Sequence, residues 1–97
     1  MKQLSLSQLN EAKKITLYHW VFGMYTINKE TKTIIEQRNE ETTDITQNCK
    51  MENDRFIPEN MQDVPYTFGV VCWKILKGMA DKECRSFLEI FDSVTLN

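Results

Sequence analysis

The chain has one histidine, His19, and glycine at only three isolated positions. Glycines this sparse leave no phosphate-cradling loop and no G-x-S-x-G elbow, and a lone histidine excludes an H-E-x-x-H zinc motif. Any imidazole-dependent mechanism must run through His19. Cysteine is also scarce: Cys49, Cys72 and Cys84 cannot all pair within one chain. Their nearest gap of twelve residues matches neither a disulfide framework nor the close C-x2-C pairs of zinc modules. There is no Asn-x-Ser/Thr sequon, and the Leu4-Ser5-Leu6-Ser7 start lacks the continuous apolar core of a secretory signal, so a reducing cytoplasm is expected. Long hydrophobic runs are missing too. The longest candidate, Ile15 to Ile27, is thirteen residues and is interrupted by Thr16, His19 and Thr26, whereas a membrane span needs about 20.

What is present fits a small globular protein. Apolar residues at 41% and charged residues at 27% exclude disorder throughout. A length of 97 residues predicts one domain, 1–97, with a single modest core and little room for a deep catalytic cavity. Charge is unevenly placed. Residues 1–35 hold five lysines against two glutamates, residues 36–63 eight acidic against three basic side chains, and residues 64–97 four of each. The acidic middle and a pI near 5.4 argue against direct nucleic-acid binding, which needs a basic face.

The clearest local signal is at the start. Ser5 followed by Gln8 forms a capping box, with Leu4 and Leu9 as a hydrophobic staple, so a helix begins at Leu6. Residues 15–22 read both ways. Thr, Tyr, Trp, Val and Phe fit a strand, while the cap and the helical period favour a helix running to Gly23 as its left-handed end. Both stay open, with the reading tipped to helix. Residues 24–37 form a β-hairpin about the polar turn Asn28-Lys29-Glu30-Thr31. Residues 38–54 offer only Ile45, Cys49 and Met51 as apolar anchors, which predicts a long solvated connection or an edge strand around Asp44–Cys49. Phe56 and Ile57 return the chain to the core before Pro58.

The last third predicts two packed antiparallel helices, over about 64–78 and 82–92. Asp63 caps the first, with Pro65 in its first turn, and Gly78 ends it; Asp81 caps the second. A final short strand in Ser93–Leu96 is an option. The expected fold class is therefore α+β: an N-terminal helix, a hairpin with an extra edge strand, and two C-terminal helices over the sheet.

Each candidate for chemistry has a plain alternative. His19 could be a general base, but no nucleophile or orienting partner accompanies it, so it reads as a packing residue. Cys84, one turn after the Asp81 cap and near Lys82 and Arg85, is the best candidate for a reactive thiol, but the cap's carboxylate opposes ionisation and a buried, inert cysteine is the favoured reading. A Cys3His zinc module from Cys49, Cys72, Cys84 and His19 is an alternative, as is a small Cys- or His-dependent enzyme. The leading expectation is a small, non-enzymatic, cytoplasmic interaction protein, a regulator or inhibitor of a larger protein, in size like a phage or bacterial accessory protein. It requires no cofactor. Its contact residues are the carboxylates Glu40, Glu41, Asp44, Glu52 and Asp54, facing a partner with a basic surface, together with Tyr66 and Trp73. A homodimer through the hairpin edge, at Tyr25–Ile27 and Thr33–Ile35, is a further expectation.

Overall fold

The computed structural model describes residues 4–50 and 68–97. It is an α+β fold with five antiparallel strands in the order β4-β3-β2-β1-β5. Along the chain these are α1 (Leu6–Glu11), β1 (Lys14–His19), β2 (Gly23–Asn28), β3 (Thr33–Arg38), β4 (Glu41–Asp44), α2 (Thr46–Lys50), α3 (Phe68–Leu76), α4 (Lys82–Phe87), a 3-10 turn (Leu88–Ile90) and β5 (Ser93–Leu96). The first predicted hairpin is β2–β3, and the optional last strand is β5.

Helix α1 starts as its cap requires. The Gln8 N–H donates to Ser5 Oγ at 3.0 Å, and the Ser5 N–H donates to Gln8 Oε1 at 3.2 Å. It stops after six residues, and the Lys29 ammonium donates to the carbonyls of Leu9 and Asn10 at 2.7 and 2.9 Å, covering its negative end.

The helix expected through residues 15–22 is a strand and a turn. Ile15 and Leu17 are both fully buried, which a strand achieves by placing i and i+2 on one face; in a helix they would lie about 200° apart. Strand β1 is also paired on both sides, with Leu17 opposite Tyr25 of β2 and Val94 of β5. Tertiary pairing outweighs the helical period.

Of the connection at 38–54, residues 38–50 are described: the edge strand lies at Glu41–Asp44 rather than around Asp44–Cys49, where a helix forms instead. Strand β4 ends where Thr46 Oγ1 takes the Ile34 N–H at 2.8 Å, replacing a ladder bond, and α2 follows at once. Ile45 and Cys49 do reach the core. The predicted first C-terminal helix is seen as α3, and Gly78 ends that region with φ +72. Its Asp63 cap and Pro65, like Met51, Phe56, Ile57 and Pro58, lie outside the described residues. The second helix is capped by Asp81 as predicted but does not continue to 92. After Phe87 it tightens to a 3-10 turn, which brings Phe91 into the core and hands the chain to β5.

One face of the sheet, carrying Ile15, Leu17, Tyr25, Ile27 and Ile34, packs on Phe68, Val71, Ile75, Leu88 and Phe91. Tyr25, Phe68 and Phe91 meet at ring distances of 4.9 to 6.3 Å. Both hairpin strands are interior, so the expected dimer edge at Tyr25–Ile27 and Thr33–Ile35 does not exist; among the described residues the edge strands are β4 and β5. Among the described residues, no helix is long and apolar enough to cross a membrane.

Candidate docking site at the aromatic turn

An up-and-down order sends the β1–β2 and β3–β4 turns to the same end of the sheet. There the chain exposes Tyr18 (45%), Trp20 (75%) and Val21 (46%), three of the four large hydrophobic side chains exposed among the described residues. The turn that carries them is tightly built. The Trp20 N–H donates to Asp92 Oδ2 at 2.7 Å, and the Asp92 N–H donates to the Tyr18 carbonyl at 2.8 Å. His19 Nδ1 accepts from the Val21 and Phe22 N–H groups at 3.0 and 3.3 Å. The His19 ring stacks on Phe22 at 3.9 Å and meets the edge of Phe91 at 6.3 Å. The Tyr25 hydroxyl bridges the Phe22 carbonyl and the Glu36 carboxylate. Gly23 closes the turn at φ +104, where an added Cβ would stand 2.8 Å from the Gln37 carbonyl oxygen.

The neighbouring β3–β4 turn has Asn39 and Glu40 both at positive φ, 50° and 68°, the two-residue geometry that normally recruits glycine at its second position. Tyr18, His19, Trp20, Arg38, Asn39 and Glu40 line an open cleft of about 290 Å³ between the two turns. Glu41 follows at the start of β4, opposite Arg38.

The predicted contact residues therefore separate. Glu40 lines the cleft beside the aromatic turn, and Glu41 lies beyond it on β4, opposite Arg38. Asp44 is at the other end of β4, about 10 Å along the strand. Its Oδ1 accepts the Thr46 hydroxyl at 2.6 Å and the Thr46 N–H at 2.9 Å, and these bonds hold its carboxyl below the ordinary range. Trp73 is half-buried against the core with the Lys77 ammonium 5.0 Å above its ring, in a different cleft. Glu52, Asp54 and Tyr66 lie outside the described residues. The sequence places Tyr18, Trp20 and Val21 in the stretch 15–22 and does not offer them as contact residues; alternation outward from buried Ile15 and Leu17 is the signal that marks Tyr18 as facing out.

The residues proposed for chemistry are committed elsewhere. His19 Nδ1 is occupied by backbone. Burial, with the Asp81 carboxylate adjacent, pushes the Cys84 thiol up to about 11, which favours the buried, inert reading of this thiol over the reactive one. Cys49, Cys72 and Cys84 do converge in the core, where burial and a hydrogen bond with Cys49 push the Cys72 thiol up. His19 packs on Phe22 instead, and among the described residues no group of three His, Cys, Asp or Glu side chains is arranged to hold a metal. No family model matches the sequence, and no curated protein or solved structure shows significant similarity to it.

Proposed function

We propose that this chain is a non-enzymatic protein-binding module that regulates a larger protein by occupying part of its surface. Trp20 is the anchor, Tyr18 and Val21 flank it, and Glu40 across the cleft, with Glu41 beyond it on β4, forms an acidic rim. The partner surface that complements this end of the sheet is an apolar pocket edged by Lys or Arg. The observation that carries the reading is a tryptophan 75% exposed on a turn fixed by four hydrogen bonds. Such a side chain contributes large buried area on docking, and little ordering entropy remains to oppose it. The acidic rim adds steering toward a basic partner and a penalty against acidic ones. It also disfavours insertion of this turn into an anionic lipid surface. Three free, buried thiols suit a reducing compartment, and we assign the protein to the cytoplasm on that ground.

The test compares immobilised wild-type chain, Trp20→Ala, Glu40→Lys/Glu41→Lys and a control, Thr95→Ala on β5, for protein retained from an extract of the source cells. A protein held by wild type and control, lost with Trp20→Ala, and weakened by the charge reversal and by salt supports the reading. Retention that ignores Trp20→Ala overturns it.

A further inference from the structure

The opposite end of the sheet carries a second, differently built cleft. The β2–β3 turn supplies Lys29 and Lys32, the start of α2 supplies Thr46 and Gln47, and the end of α3 supplies Trp73, Leu76 and Lys77, enclosing about 430 Å³. Three ammonium groups thus share one concavity on a chain of net charge −2, and no carboxylate is among the described lining residues. The ion pair among the described residues joins Lys74 to Asp81, so none of the three is neutralised there. Six-residue strands separate this cleft from the aromatic turn by about 20 Å.

Its parts are positioned rather than loosely gathered. Lys29 Nζ is held by two carbonyls of α1, leaving one of its three N–H groups for a ligand. Partial burial lowers the Lys29 pKa, a cost that an arriving anion would offset. Lys32 sits at φ 60, a left-handed conformation that places it in the turn next to the cleft. The Trp73 ring and Leu76 give an apolar wall, and Lys77 lies over that ring.

We infer that this cleft binds a small polyanion with an aromatic body, the chemistry of a nucleoside polyphosphate. Its size is within the range of about 300–1,000 Å³ that holds compact ligands. The three lysines face the phosphates, while the base packs against Trp73 in place of the Lys77 side chain.

ATP is the probe, with adenosine and inorganic tripolyphosphate as its separated halves. The full chain is used, titrated by calorimetry, with Trp73 fluorescence read in a Trp20→Phe background where Trp73 is the sole tryptophan. The expected result is saturable one-to-one binding of ATP, weakened about tenfold or more by Lys32→Ala/Lys77→Ala. Both side chains are exposed and outside the core, and Lys82→Ala on α4 leaves binding unchanged. Adenosine and tripolyphosphate each bind at least about tenfold more weakly than ATP. Absence of saturable ATP binding, unchanged affinity in the double variant, or tripolyphosphate binding as tight as ATP each overturns the inference.

Discussion

Asp92 and Trp20 hold each other's segments in place: the Trp20 N–H reaches the Asp92 carboxylate at 2.7 Å, while the Asp92 N–H reaches the carbonyl of Tyr18, two residues before the tryptophan. The residue that leads the chain from the 3-10 turn into β5 thereby sets the conformation of a turn 72 positions earlier. Replacing Asp92 by Ala removes a charge-assisted bond at an exposed site. It should cost about 1 kcal/mol, or about 4–8 °C in Tm. Hydrogen exchange at the Trp20 amide should accelerate selectively, while the amides of Tyr25 and Ile27 in the interior strand β2 stay protected.

The two turns at this end respond oppositely to glycine chemistry. Gly23→Ala places a Cβ against the Gln37 carbonyl at positive φ, and is expected to lower stability by about 1–3 kcal/mol. Glu40→Gly relieves a left-handed glutamate and should raise stability by about 1 kcal/mol, while removing part of the acidic rim. Chemical denaturation of both variants checks the pair. A stabilised Glu40→Gly with weakened partner binding would show stability given up for contact.

Acid should act through Asp81. The Cys84 N–H, at 3.0 Å, and then Lys74 hold its carboxyl down at about 2, below the ordinary 3.8. The unfolded chain therefore takes the proton first, so this stabilisation is complete above pH 3.8 and is lost as pH falls toward 2. Asp81→Asn keeps a capping side chain without the charge. Urea midpoints of wild type and Asp81→Asn should converge as pH is lowered from 5 to about 2, and Asp81→Ala should lose about 1 kcal/mol at neutral pH.

Thiol chemistry separates the present account from a cysteine-dependent enzyme. With Cys84 pushed up to about 11, roughly one thiol in ten thousand is ionised at pH 7. All three cysteines are buried, so a thiol-reactive disulfide reagent should label the native chain only at the rate of unfolding and label all three in denaturant. Fast stoichiometric labelling of Cys84 in the native protein would contradict this.

Legibility in the sequence followed the range of the interactions. The Ser5–Gln8 box, the Asn28 turn and the Asp81 cap are settled within three residues, and each is where the sequence puts it. Strand β1 is settled by β2 and by β5, whose Val94 stands opposite Leu17, and no window around residue 17 contains that pairing. Helix α2 depends on Thr46 capturing an N–H from Ile34 on β3, a contact equally hidden from local reading. The acidic rim was legible only as charge; that Glu40 shares a cleft with Trp20, while Asp44 is bonded to Thr46, follows from the meander. The exposure of Trp20 has no local signal, and the turn that carries it is fixed by bonds to Asp92, 72 positions away, and to His19 Nδ1.

The central claim, that the aromatic turn is the contact surface, is tested most directly by site-specific photocrosslinking in source-cell extract. A photoreactive phenylalanine analogue is placed at Val21 on the turn or at Thr95 on β5. A discrete adduct is expected from position 21, absent when Trp20→Ala is combined with it, and none from position 95. Adducts from position 95 alone, or a position-21 adduct indifferent to Trp20→Ala, would contradict the claim.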